Sequence, residues 1–130
     1  MTLEKIFAGE SMNLEFNVQR PKVSSKYMKA VVAFANGEGG RIIFGVDDKT
    51  HQIIGIPREI VFSEMDAITA AISESCEPLI IPDVYLKQIE DKAVIVVEIS
   101  PGKQRPYYVV SSFSASRILK NSKLNPMRPA

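Results

Sequence analysis

The chain predicts an α+β two-layer domain, a mixed β-sheet of about five or six strands with two main helices packed on one face. Three observations carry this. Apolar residues recur at helical spacing from residue 25 to Asn36 and again from Ser63 to Cys76. Short runs such as Leu14-Glu15-Phe16 and Val94-Ile95-Val96-Val97 have the alternating or continuous apolar character of strands. With 130 residues and 45% apolar content, the chain supplies one core rather than two.

The elements follow in order. Thr2 to Phe7 can form one helical turn, and Gly9 can stop it. From Asn13, Leu14, Phe16 and Val18 alternate with Glu15, Asn17 and Gln19, a strand with one wet face onto which Glu15 points. Pro21 and Ser24-Ser25 interrupt it and offer a cap for the first main helix. There Met28, Val31, Val32 and Ala35 form a stripe that Tyr27 and Phe34 broaden. Lys22, Lys26 and Lys29 gather near its N-terminus, where the helix dipole disfavours cations and an anion would relieve them; extension of all three into water is the commoner arrangement. Arg41 to Val46 is apolar on both faces, as in a central strand, and Asp47-Asp48-Lys49 turns the chain into Gln52 to Ile56, a hairpin partner. Ser63 and Asp66 match a capping box for the second helix, with Met65, Ile68, Ile72 and Cys76 inward and Pro78 beyond its end. Val84 to Ile89 and Ala93 to Ile99 flank the turn Glu90-Asp91-Lys92; Pro101-Gly102 ends the second of these strands, and Tyr107 to Val110 adds a short one. No internal repeat occurs.

Several functions are disfavoured. Asn36-Gly37-Glu38-Gly39-Gly40 follows a helix and precedes a strand, the reverse of phosphate-cradling loops, so no helix N-terminus points into it and neither ATP nor NAD is expected. Cys76 is the sole cysteine and reads as a buried thiol, which leaves no disulfide or cysteine-based zinc site. The single histidine, His51, sits in a polar turn where the sequence shows no obvious orienting residue, against a catalytic cysteine. No apolar run reaches the roughly 20 residues that span a bilayer and no leader is visible, which predicts a soluble, cytoplasmic protein without membrane partners. Residues 1–100 carry 10 Lys/Arg against 15 Asp/Glu, net −5, whereas residues 101–130 carry 6 Lys/Arg and no acid, net +6. The division expected is a domain over residues 1–110 and a basic, poorly patterned tail over 111–130, which either tracks phosphates or only solubilises.

Glu10, Leu14-Glu15-Phe16, Ala33-Phe34-Ala35-Asn36, Gly39-Gly40, Phe44-Gly45-Val46-Asp47-Asp48, Gly55-Ile56 and Arg105-Pro106-Tyr107-Tyr108 together resemble the Schlafen AlbA family, also called the divergent AAA-4 or DNA-binding domain, over about residues 8–110. The resemblance implies an Alba-like fold that binds nucleic acid, DNA ahead of RNA, in bacterial proteins of transcriptional-regulator type. Two departures stand out. Asn17 occupies the place of a lysine common after the L-E-F motif, and the usual closing aromatic-x-arginine strand survives only as Ser116-Arg117-Ile118 and Asn121-Ser122.

Three functions follow. In a non-catalytic binding module without cofactors, Lys26, Lys29, Arg41, Lys103 and Arg105 would contact phosphates, while Tyr107 and Tyr108 would offer flat surfaces to bases. Against it stands the nearly neutral charge of +1, and a Tyr-Tyr pair on a strand sends one ring into the core. In a Schlafen-type RNase, the resemblance places the carboxylates at Glu10, Glu15 and Asp48, with Asp47 the close rival, holding Mg²⁺ or Mn²⁺. In a homodimeric interaction domain, strands such as Ala93 to Ile99 would have their edges covered by a second copy.

Overall fold

The computed structural model describes residues 13–21 and 25–110. Glu10, Lys22, Ser24, the Thr2 to Phe7 turn and the basic tail lie outside the described residues. The elements are β1 (Asn13–Asn17), α1 (Ser25–Asn36), β2 (Gly40–Phe44), α2 (Val61–Ser75), β3 (Cys76–Glu77), β4 (Asp83–Ile89), β5 (Lys92–Ile99) and β6 (Tyr108–Val109). The α+β reading holds. A four-stranded sheet runs β1-β2-β5-β4, and β3 and β6 form a separate two-stranded ribbon. The sheet is mixed, because β1 joins β2 in parallel while β5 runs antiparallel to both neighbours.

Both helices lie on one face. Tyr27, Met28, Val31 and Phe34 of α1 and Val61, Ile68 and Ile72 of α2 share a cluster with Ile42, Phe44, Ile95, Val97 and Ile99. Tyr27 meets Phe44 edge to face, with ring centroids 5.5 Å apart. The opposite face has its own cluster, Ile43, Val46, Ile53, Ile89, Val94 and Val96, against which Leu14, Phe16 and Tyr85 pack. Period two therefore sends the apolar residues of β1 to the face opposite the helices. Glu15, in register with Ile42, is directed to the helix side of this edge strand and is half-buried rather than on a wet face.

The hairpin expected after β2 is reduced to a single bridge between Val46 and Ile53. The cause is that β2 has no free edge, with β1 on one side and β5 on the other. The backbone of Ile54 and Gly55 instead bonds the Gly45 carbonyl, and Ile56 N–H donates to Ala93. Likewise β5 is flanked by β2 and β4, so both edges of its apolar run are covered within the chain; among the described residues the strands at the sheet's edges are β1 and β4. The expected capping box does not form. Buried Val61 starts α2 two residues earlier, and Ser63 Oγ donates to the Ile60 carbonyl. Cys76 is buried as expected but belongs to β3, and burial pushes its thiol up to about 11.

Close approach of α1 to β2 depends on Gly40, where a Cβ would lie 2.6 Å from Phe34 Cγ. The left-handed residue of the connecting turn is Gly39, at φ 87°, and its N–H bonds the Phe34 carbonyl. Among the described residues no helix is long and apolar enough to cross a membrane.

Candidate nucleic-acid interface

Helix α1 sets the site out along its length. Its apolar stripe is spent on the core, which leaves Lys26 and Lys29 exposed on the other side, and its sequence contains no acid. Twelve residues at about 1.5 Å each give a rod of roughly 18 Å with a different loop at each end.

At the C-terminal end the chain from Pro101 to Tyr107 is tied to the helix. Asn36 makes a two-way clasp: its Nδ2 donates to the Tyr107 carbonyl at 3.0 Å, and its Oδ1 accepts from Tyr107 N–H at 2.7 Å. Gly102 N–H donates to the Ala35 carbonyl, and Tyr107 Oη accepts from Gln104 N–H. Arg105 donates through Nη1 to the Asn36 carbonyl at 3.3 Å and through Nε to Gly102 at 3.1 Å. A cation at a helix C-terminus sits where the dipole favours it. Arg105 and Lys103 are both exposed, so the clasp holds the Arg105 charge at the C-terminal end of α1, with Lys103 two residues before it in the same loop.

At the other end a cleft of about 640 Å³ is lined by Leu14, Glu15, Phe16, Asn17, Lys26, Asp48 and His51. The two aspartates of the turn separate here. Asp47 Oδ1 accepts from Lys49 N–H at 2.8 Å and Thr50 N–H at 2.9 Å, an Asx turn, and the amides of Thr50 and Lys49 hold its carboxyl below the usual range. Asp48 is left to face the cleft, and the His51 ring packs on Phe16 at 4.9 Å. The cleft thus brings together Glu15, Asp48 and Lys26. Two carboxylates offer hard oxygen donors of the kind divalent cations take. Among the described residues no group of three acidic, histidine or cysteine side chains could hold a metal. The third expected ligand, Glu10, lies outside them.

Two expected contacts are corrected. Arg41 is not a surface cation: it is 9% exposed, faces Glu98 across β2 and β5, and donates through Nη2 to Glu98 Oε2 at 3.2 Å. Tyr85 Oη approaches the other Glu98 oxygen at 3.4 Å, which places all three on the face opposite the helices. Tyr107 is the inward ring of its pair at 7% exposure, packed where a side chain at Gly102 would strike it, whereas Tyr108 is 58% exposed. Sequence reasoning missed the Asn36 clasp, whose partners are 71 residues apart and share no spacing signal.

A larger groove of about 870 Å³ lies elsewhere, lined by Val18, Ile54, Ile60 and Phe62 among others, and contains none of the expected contacts. On it Arg20 and Glu64 form a paired ion bridge at 2.8 and 3.0 Å.

The family model described as Schlafen, AlbA_2 matches residues 10–125. Among solved structures, the N-terminal domain of a protein from Nitrosomonas europaea described as RecG-related, after an ATP-dependent DNA helicase, superposes with a TM-score of 0.66 at 21% identity, covering 84% of this chain and 77% of that one. The DIP2311 protein from Corynebacterium diphtheriae superposes with a TM-score of 0.54 at 22% identity over 75% of this chain and 19% of its own length.

Proposed function

We propose that this chain, which belongs to the Schlafen AlbA_2 family, is a non-catalytic nucleic-acid-binding module, with DNA ahead of RNA, of the kind that serves a transcriptional regulator. One observation carries the reading: exposed Lys26 and Lys29 lie on a helix without acids, at whose end a hydrogen-bonded loop fixes Arg105 beside Lys103. Cations held by a rigid scaffold contact phosphates without reading sequence. The description of the Nitrosomonas europaea neighbour as related to a DNA helicase supports the preference for DNA.

Neutralisation of about four phosphates gives log affinity a slope near −3 to −4 against log salt, a loss of roughly 100-fold between 50 and 200 mM. Fluorescence anisotropy with labelled oligonucleotides measures this, and Lys29→Ala should lower the slope by about 1. Binding that is absent at low salt, or indifferent to salt, sinks the reading.

A second reading is a metal-dependent RNase, favoured by the meeting of Glu15, Asp48 and Lys26 in one cleft. In that reading Lys26 holds a phosphate and the carboxylates supply oxygen ligands, with a divalent cation polarising the phosphodiester when bound. Structured RNA incubated with Mn²⁺, against chelator and against Glu15→Ala and Asp48→Ala, tests it; cleavage that survives both substitutions comes from a contaminant.

A further inference from the structure

Tyr108 stands next to a loop that spends its other side chains on structure or charge. Its neighbour Tyr107 is locked to Asn36 and buried, yet Tyr108 leaves 58% of its surface in water. Val109 beside it is also exposed, and its cross-strand partner is the exposed Glu77, while Cys76, the partner of Val109, is buried. Three residues of chain, at most about 11 Å, separate Tyr108 from Arg105. Tyr108 therefore forms an exposed aromatic shelf close to the cationic end of the α1 track.

Resting on the nucleic-acid reading above, we propose that the ligand is single-stranded, with phosphates along Lys29, Arg105 and Lys103 and one unpaired base stacked on Tyr108. Magnitudes decide this. A base on an aromatic ring contributes about 1–3 kcal/mol, and every base has a face to offer. In a duplex that face is already stacked, and exposing it costs a few kcal/mol, so one ring cannot recover the loss. Only a strand with free bases uses cations and shelf together. The adjacent positive charge, from Arg105 and Lys103, favours this polyanion over an apolar protein partner. Glu77 opposes it, which makes Glu77→Gln a variant that should bind more tightly.

Anisotropy at low salt with labelled 20-mers tests this, using oligothymidine, oligouridine and a duplex of the same length. The native chain should bind either single strand at least 5-fold more tightly than duplex. Tyr108→Ala should weaken single-strand binding by about 5- to 150-fold and leave the duplex unchanged, while Tyr108→Phe stays within about 2-fold of native. The two single strands rank DNA against RNA, and either one shows the effect of the shelf. Equal affinity for strand and duplex, or indifference of the single strand to Tyr108→Ala, overturns the proposal. So does a loss of self-association by light scattering in Tyr108→Ala with strand binding intact, which would make the shelf a protein contact. If no oligonucleotide binds at all, the underlying reading fails with it, whereas salt-dependent binding without the Tyr108 effect sinks the shelf alone.

Discussion

Each end of α1 carries a loop with two adjacent residues of one kind, and the two loops divide their labour alike. At the C-terminal end Tyr107 is buried under the helix while Tyr108 faces water. Near the N-terminal end Asp47 is consumed by the amides of Lys49 and Thr50 while Asp48 lines the cleft. One member of each pair builds the loop and the other is presented by it. The difference lies in how each loop is anchored. The basic loop reaches across to Asn36 and Ala35 of the helix through several hydrogen bonds and a packed ring, whereas among the described residues the carboxyl of Asp47 bonds within its own turn, to Lys49 and Thr50. Damage to the first should spread into the core, and damage to the second should stay local.

The largest expected effect is Tyr107→Ala, which removes a buried ring and its bond to Gln104; a loss of about 3 kcal/mol is expected from the shift in urea midpoint. A shift no larger than that of Tyr108→Ala would erase the distinction within the pair. Asn36→Ala should follow at roughly 2 kcal/mol, since it leaves the backbone of Tyr107 without its two partners. By freeing the loop that fixes Arg105, it should also weaken oligonucleotide binding more than its own neutral side chain could explain, a split that anisotropy would show. Asp47→Ala should lower the melting temperature modestly and Asp48→Ala should not. Because hydrogen bonds depress the carboxyl of Asp47 in the folded state, its contribution is complete above the ordinary aspartate range and disappears as pH falls through the depressed value. Melting followed down the acid limb should therefore converge for native and Asp47→Ala chains; parallel curves would remove the Asx turn from the account.

The smallest effect belongs to a site remote from both loops. Glu64→Gln breaks the pair with Arg20, a partly exposed bridge that contributes only about 0.5 kcal/mol. The hydrogen bond from Arg20 holds Glu64 below the usual carboxylate range, so this contribution too is present near neutrality and lost in acid. Unchanged oligonucleotide affinity in this variant would locate binding at α1 rather than over the larger groove.

What was legible in the sequence follows from which interactions have a local signature. The α1 stripe of Met28, Val31 and Ala35 and the apolar run of β5 were readable because periodicity is a property of neighbours. So was the placement of Lys26 and Lys29 outside, by exclusion from that stripe. The hairpin after β2 has a local signature but does not form, because β5, distant in sequence, takes the edge that a local partner would need. The same holds for Arg41: Glu98 lies 57 residues away, and an arginine beginning an apolar strand looks like a surface cation until its register partner is known. That Asp48 and Glu15 line one cleft has no signature in their spacing, since nothing there brings a turn to an edge strand.

The β4–β5 connection has a consequence of its own. Glu90 and Asp91 both sit at positive φ, 53° and 66°, in a two-residue turn of type I′ that contains no glycine. The long strands impose this geometry on residues that resist it, at a cost on the order of 1 kcal/mol each. Asn-Gly at these two positions would relax the bend without touching α1 or its loops, and so yield a sturdier chain for crystallisation with an oligonucleotide.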